Sequence, residues 1–466
     1  MGYPSGAMQT HAIILASGDG NRFGGELPKQ FVRLAGEPIL LRTLRCFAPA
    51  GLSKLVIVAH PRWMEDTAAL VDAAGLPDTV EVVVTAGGAT RNESTRNGLA
   101  ALDAADDDVV LVHDAVRPLL SLEVIQRCVE PILSGRADAT DTVIPSADTL
   151  VIVEGEDVVE IPDRSRYRRG QTPQTFRVGV LEQAYAAAAA AGDLSATDDC
   201  SLVLRYVPGV RLLGVAGDET NMKITTRVDM ILADRVLQLS VLVPGRSPRP
   251  GTSLAGARVL VVGGTNGIGR AIADLAVAEG AAAEVVGLSS GVDVRDAAGV
   301  ERAVSAAARR LGGLDHVVCT AGVLRIGRHD AMDPATVAEV VDVNLTGSLN
   351  VARAAYPHLR ATRGSLAFFA SSSFTRGRPD YIAYSASKAA VVNATQGLAD
   401  EWAADGIRVN AVSPERTDTP MRRAAFPDED RTGMLGADEV ATATLRLLAS
   451  DLTGQVVDVK RNDIAG

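Results

Sequence analysis

The stretch ILASGDGNRFGGELPKQ, residues 14–30, closes an apolar run and opens into a glycine-rich loop. A second stretch, RVLVVGGTNGIGR at 258–270, makes the same change from apolar run to glycines. Glycines after a strand let backbone N–H groups approach a phosphate closely, and a following helix N-terminus favours its charge. The two loops differ in spacing. In the second, Gly263, Gly267 and Gly269 form a G-x-x-x-G-x-G pattern. The first fits no dinucleotide fingerprint, because Phe23 stands where a third glycine belongs. It is no P-loop either, because Lys29 follows Pro28 and is followed by Gln30. One chain therefore carries two glycine-rich loops of different kinds, each of which suggests a phosphate ligand or is an ordinary glycine-rich turn.

Working outward, each loop heads a series of apolar runs separated by helical segments. The first series is HAIILA (11–16), KLVIVAH (54–60), VEVVVTA (80–86) and DVVLVHDA (108–115). The second is ARVLVVGG (257–264), AEVVGLSS (283–290), LDHVVCTAG (314–322) and GSLAFFAS (364–371). These runs are continuous rather than alternating, as parallel strands covered on both faces require. Helices are expected near 121–133, 179–192, 268–280, 297–311, 335–358, 384–404 and 438–449. LVIVEGEDVVEIP reads as a hairpin around Gly155-Glu156, followed by an Arg-rich polar stretch. It is either an edge hairpin or a protruding arm. The Pro- and Gly-rich stretch 241–255 reads as a linker between a domain at 1–240 and another at 256–466.

Composition narrows the function. The chain has 466 residues with 47% hydrophobic content, enough for two cores, and a net charge of -11 that argues against a nucleic-acid surface. The four Cys, at 46, 128, 200 and 319, are too scattered for a zinc site or a disulfide framework. No uninterrupted apolar run is long enough to span a membrane, and the N-terminus lacks a signal-peptide pattern. A cytoplasmic enzyme is expected.

In the second half, YIAYSASKAA sets Tyr384 and Lys388 four residues apart, on one face of a helix. A neighbouring ammonium stabilises phenolate, which makes Tyr384 a usable acid or base. Ser371 ends a strand upstream, and Asn344 sits in DVNLTGSLN. With GGTNGIG, CTAG, DVNLTG, ASSS, YSASK and NAVSPERTDTP in order, residues 256–461 resemble the short-chain dehydrogenase/reductase family. The resemblance implies a doubly wound fold and NAD(P)-dependent carbonyl reduction. It makes Tyr384 the proton donor. Lys388 lowers the phenol pKa and holds the nicotinamide ribose, Ser371 binds the carbonyl, and Asn344 supports Lys388 through a proton relay. Gly263, Gly267, Ile268 and Gly269 would receive the cofactor, with Asp293 near adenine. Two positions depart from the family pattern: Val262 replaces a usual Thr, and Thr320 a usual Asn. VVGLSSG carries no Asp or Glu for an unphosphorylated ribose, so NADPH is favoured and NADH is the alternative.

The first half carries LASGDGNRFGGELPKQ, GGATRNESTRNGL, HDAVRP, DRSRYRRGQTPQTF, ATDD and NMKITTRVDM in order. Over residues 11–235 this resembles the cytidylyltransferases of 2-C-methylerythritol 4-phosphate and of pentitol phosphates. The resemblance implies a Rossmann-like nucleotidyltransferase domain with a protruding arm. A phosphate attacks the α-phosphorus of CTP and pyrophosphate leaves. Arg22, Lys29 and Lys223 would stabilise the reacting phosphates. Ala16, Ser17, Gly18, Gly20, Gly87, Gly88 and Ser94 would bind the nucleotide. Asp114, Arg117, Arg164 and Thr172 would bind the acceptor, the last two delivered from a partner's arm in a homodimer or higher oligomer. Mg2+ is implied, held mainly by nucleotide phosphates, with Asp114 a further candidate ligand.

The order of the halves resembles the bifunctional ribulose 5-phosphate reductase/CDP-ribitol pyrophosphorylases, which serve ribitol-containing cell-surface polymers. That resemblance implies pentulose and pentitol phosphates as substrates. Two alternatives stand beside it: a methylerythritol-phosphate cytidylyltransferase fused to an unrelated reductase, and a cytidylyltransferase fused to a non-catalytic dimerisation module.

Overall fold

The computed structural model describes residues 8–18, 27–193, 196–242 and 253–461. The chain divides into two compact units, residues 1–233 and 234–466. The division falls inside the helix Arg227–Leu242. Most of the linker stretch, 243–252, lies outside the described residues.

The first unit contains strands β1 (Thr10–Ala16), β2 (Arg33–Leu34), β3 (Glu37–Pro38), β4 (Lys54–Ala59), β5 (Glu81–Ala86), β6 (Val109–Asp114), β7 (Ala139–Pro145), β8 (Ile152–Glu154), β9 (Asp157–Glu160), β10 (Arg168–Arg177) and β11 (Leu212–Ala216). Seven of them form one sheet in the order β11-β7-β10-β6-β1-β4-β5. The half built from the apolar runs, β6-β1-β4-β5, is parallel. The other half is mixed, because β10 runs antiparallel to both β6 and β7. Hydrophobic clusters cover both faces, one around Leu40, Leu44, Phe47 and Ile125, the other around Leu99, Phe176, Leu181 and Val203. Val109 to Val112 of β6 are fully buried. Each such side chain contributes roughly 1.5–3 kcal/mol, enough to anchor the polar His113-Asp114 pair that follows. Register aligns Ala16 with Ala59 and Ala59 with Ala86, and Leu15 with Asp114. The carboxyl ends of four strands thus open on one edge, where open α/β sheets bind ligands.

The 149–176 region is a hairpin that continues into the sheet. β8 and β9 pair antiparallel in a separate two-stranded sheet with both strands exposed. β10 begins exposed at Arg168 and becomes buried from Gln171 onward.

The second unit contains β12 (Arg258–Val262), β13 (Ala282–Val286), β14 (His316–Cys319), β15 (Ser365–Phe369), β16 (Arg408–Pro414) and β17 (Val456–Val459). They form one sheet in the order β13-β12-β14-β15-β16-β17, parallel throughout, which is a doubly wound arrangement. The helix expected at 335–358 is three pieces: Pro334–Val341, a π-helical turn Asp342–Thr346, and Gly347–Thr362. Such π turns recur at functional sites because they re-aim a side chain; here it is Asn344. Among the described residues no helix is long and apolar enough to cross a membrane.

Candidate active sites

In the first unit the strand ends enclose a cavity of about 630 Å3, lined among others by Ser17, Gly18, Lys29, Arg91, Asp114 and Lys223. Ala16, Gly87, Gly88 and Ser94 line it too. Arg22 and Gly20 lie outside the described residues. The nucleotide-side residues are tied together: Ser17 Oγ is 2.8 Å from Ser94 Oγ, and the Gly88 N–H donates to Ser94 Oγ at 3.2 Å. Gly87 is required by this closeness, since a Cβ there would stand 2.3 Å from the Ser17 Cβ. Gln30 donates its amide to the Ala16 carbonyl at 2.8 Å and so fixes the start of the loop.

Asp114 is the electrostatic centre. Its Oδ2 lies 3.1 Å from Lys223 Nζ and 3.1 Å from Arg117 Nε. Burial alone would raise its pKa, but Lys223, Arg117 and Arg91 together hold the carboxyl well below the usual range. Arg117 also donates to the Asn221 carbonyl at 2.9 Å, which fixes its guanidinium. The next strand residue inward, His113, is neutral, because burial lowers its pKa to about 4. Its Nε2 lies 3.2 Å from the Arg117 carbonyl and its Nδ1 3.0 Å from Thr172 Oγ1. A carbonyl only accepts, so Nε2 carries the proton and the Thr172 hydroxyl donates to Nδ1. The same hydroxyl accepts the Asp114 N–H at 3.1 Å.

Thr172 and Arg164, grouped as acceptor contacts from the sequence, stand in different surroundings within the chain. Thr172 is buried inside β10 and seats Asp114 of its own chain, whereas Arg164 is exposed at the base of the hairpin, where it donates to the Ala147 carbonyl at 3.1 Å. The reason is β10, which leaves the arm and enters the sheet within a few residues.

Arg91 was missed by sequence reasoning. It pairs at 2.8 Å with Asp199, a fully buried carboxylate that also accepts from the Tyr185 hydroxyl at 2.6 Å. Its signal was present in the GGATR and ATDD motifs, far apart in the sequence, but nothing in either alone shows that they meet.

In the second unit a cleft of about 360 Å3 runs from the glycine turn to the Tyr384 helix. Gly263, Gly267, Ile268, Gly269, Asp293, Ser371, Tyr384 and Lys388 all line it. Gly263 has φ +86°, and a Cβ there would meet the Ala321 backbone nitrogen at 2.5 Å. The two departures from the family pattern pack together: the Thr320 hydroxyl donates to the Val262 carbonyl at 3.2 Å. Asp293 is held by Arg295, with Nη2 to Oδ2 at 2.6 Å. The cradle of glycines, the open cleft and the ordered polar residues at its end fit an NAD(P)H-type cofactor.

Lys388 Nζ donates to the Phe369 carbonyl at 2.7 Å and lies 5.8 Å from the centre of the Tyr384 ring. Burial lowers its pKa to about 8. Burial also raises the Tyr384 phenol above its ordinary value, against an opposing hydrogen bond from Ser371. The expected lowering by Lys388 is therefore not the net effect: both groups are desolvated, and the ammonium is aimed at a backbone carbonyl. Ser371 is singled out from its neighbours by its bond to Tyr384, while Ser373 is buried behind it at 3.1 Å. Asn344 Oδ1 accepts the Val323 N–H at 2.8 Å, and its Nδ2 donates to the Val323 carbonyl at 3.0 Å and Ser387 Oγ at 3.1 Å. It touches the helix turn of Lys388 without bonding Nζ directly in any contact seen here. Among the described residues no cluster of three or more His, Cys, Asp or Glu is arranged to hold a metal.

The family model for 2-C-methyl-D-erythritol 4-phosphate cytidylyltransferase matches residues 10–239, and that for short chain dehydrogenase matches residues 288–430. The chain is 38% identical over 461 residues to the bifunctional ribulose 5-phosphate reductase/CDP-ribitol pyrophosphorylase of Haemophilus influenzae, covering 97% of this chain and 96% of that one. Its first half is 41% identical to a 2-C-methyl-D-erythritol 4-phosphate cytidylyltransferase of Thermobifida fusca, covering 49% of this chain and 94% of the relative. It is also 35% identical to the ribitol-5-phosphate cytidylyltransferase of Lactiplantibacillus plantarum, covering 49% of this chain and 98% of the relative. With both domains matched in order and the near-full-length likeness spanning both, the chain belongs to the bifunctional reductase/pyrophosphorylase family, an enzyme that joins a cytidylyltransferase to a short-chain reductase.

Proposed function

We propose that the second unit reduces D-ribulose 5-phosphate to D-ribitol 5-phosphate with NADPH, and that the first unit transfers CMP from CTP to that product, giving CDP-ribitol and pyrophosphate. The observation that carries the reading is the presence of two separate polar sites in one chain. Asp114 with Lys223, braced by Arg117, faces a nucleotide-sized cavity, and Ser371 with Tyr384 faces a cofactor-sized cleft.

In the reductase half, the cofactor supplies the hydride to the carbonyl carbon. Ser371 donates a hydrogen bond to the carbonyl oxygen, and Tyr384 gives that oxygen its proton. A phenol whose pKa is raised by burial stays protonated at neutral pH, as a donor must. Lys388 and Asn344 hold the floor of the site. The two residues directly after β13, Gly287 and Leu288, bring no carboxylate to the cleft, which favours a 2′-phosphorylated cofactor.

In the transferase half, reaction joins two anions, so catalysis is charge neutralisation and positioning. Lys29, Lys223 and Arg22 serve the reacting phosphates; the loop glycines, Ser17 and Ser94 serve the nucleotide; Arg117 holds Asp114 toward the acceptor. Asp114, kept ionised, is the carboxylate among the described cavity-lining residues and would share Mg2+ with the nucleotide phosphates. That cation would offset phosphate charge. Arg164 would complete the acceptor site of a partner subunit in a homodimer, and the enzyme would work in the cytoplasm.

The test is a product assay. The whole chain is supplied with NADPH, CTP and ribulose 5-phosphate, and CDP-ribitol is resolved from other CDP-alditols. Formation of CDP-ribitol, with NADPH preferred over NADH in kcat/KM, is the expected outcome. Absence of NADPH oxidation, with pyrophosphate released only from methylerythritol phosphate, would overturn the assignment.

A further inference from the structure

The residues lining the reductase cleft include Arg378, Arg416 and Arg422. They are not equivalent. Arg422 is committed to Glu429 through two bonds, Nε to Oε2 at 2.7 Å and Nη2 to Oε1 at 2.6 Å, and its guanidinium sits 4.7 Å from the Phe426 ring centre. Arg416 reaches the same carboxylate at 3.6 Å. Glu429 therefore offsets the charge of Arg422 and only partly screens that of Arg416. Arg378 differs. Its bonds run to neutral hydroxyls, Nη2 to Ser372 Oγ at 3.2 Å and Nη1 to Tyr381 OH at 3.5 Å. No ion pair to Arg378 occurs among the described contacts, so it presents its full charge to the cleft.

Its position suits one part of the substrate. Ser372 follows the carbonyl-binding Ser371, and the Tyr381 ring lies 6.3 Å from the Tyr384 ring. The guanidinium is thus bonded to Ser372, the neighbour of Ser371, and to Tyr381, whose ring lies beside that of Tyr384. A ketose phosphate reduced at Tyr384 must extend its far end in some direction, and the cofactor takes the glycine side. A guanidinium fork matches phosphate oxygens in geometry as well as charge.

We infer that Arg378 is the specificity residue of the reductase site, binding the phosphate of the ketose phosphate and selecting it over the unphosphorylated sugar. The inference rests on the reductase reading given above. Arg422, committed to Glu429, and Arg416, which shares that carboxylate, shape the wall.

The experiment compares Arg378→Gln, Arg378→Lys and Arg422→Gln in the full chain, following NADPH oxidation with ribulose 5-phosphate and its competitive inhibition by inorganic phosphate. Loss of a charge-assisted bond of this kind raises KM by roughly 10- to 100-fold. For Arg378→Gln that rise is expected with kcat largely kept, together with loss of phosphate inhibition. Arg378→Lys should recover part of both, and Arg422→Gln should change them less. A fall in kcat at unchanged KM would show a structural role and overturn the inference. So would retained phosphate inhibition in Arg378→Gln, or a larger KM effect from Arg422→Gln. If the wild-type chain does not reduce ribulose 5-phosphate at all, the functional reading fails instead, a result distinct from any of these.

Discussion

At the scale of single residues, burial sets protonation in both units. His316 of β14 is mostly buried, with Nδ1 2.8 Å from Ser365 Oγ, and burial lowers its pKa to about 4. The sign follows from linkage. Between its unfolded value of 6.5 and about 4 the unfolded chain binds the proton and the folded chain does not, so stability falls as pH drops through that window and is fully present above it. The full effect is on the order of 3 kcal/mol. His316→Gln should flatten the loss of stability of the second unit between pH 6.5 and 4.5. Urea midpoints read from Trp402 fluorescence in a Trp63→Phe background measure this, and equal slopes with and without His316 would count against it. Residue roles were unevenly legible. Tyr384 and Lys388 announce themselves by spacing, whereas Arg91 does not, because its partner Asp199 approaches only through folding.

At the scale of elements, apolar runs were readable and polar ones were not. β1, β4, β5, β6, β12 and β14 stand out as unbroken aliphatic stretches. β10, with sequence RRGQTPQTFR, gives no such sign. Its buried glutamines are satisfied by distant partners: Gln171 donates to the Asp218 carbonyl at 2.8 Å, and Gln174 to Asp141 at 3.1 Å. Hydrophobic periodicity cannot report a strand stabilised this way, so the antiparallel strand of the first sheet was hidden. The β8–β9 hairpin was visible, yet its environment was not. Val153 pairs opposite Val158, and both are exposed, as are Ile152, Val159 and Ile161. An exposed apolar hairpin of this kind fits the proposed dimer contact. Val153→Glu combined with Val158→Glu should convert the dimer to monomer by sedimentation and lower CMP transfer in parallel. A variant that stays dimeric with full transfer would remove the arm from the interface.

At the scale of the whole molecule, each unit carries its own sheet, core and polar site. The two activities should therefore fail separately. Tyr384→Phe keeps the ring's packing and removes the transferable proton, so reduction should fall at least about 100-fold while CMP transfer to supplied ribitol 5-phosphate persists. Lys29→Ala should do the reverse, costing roughly 100-fold or more in transfer with NADPH oxidation intact. Coupled colorimetric assays of pyrophosphate and NADPH on each variant decide it: a parallel loss of both activities would mean that the sites are not independent.

One strand carries a consequence for how such chains can vary in length. β10 starts among exposed arginines and, two residues after Gly170, places Thr172 against the backbone of Asp114. Residues added at the Gly155-Glu156 tip change only the reach of the hairpin. A single residue added or lost between Gly170 and Thr172 would swap the faces of the strand and turn the Thr172 hydroxyl away from Asp114. Insertions and deletions in related chains should therefore collect at the tip and be absent from the short stretch that follows the arm.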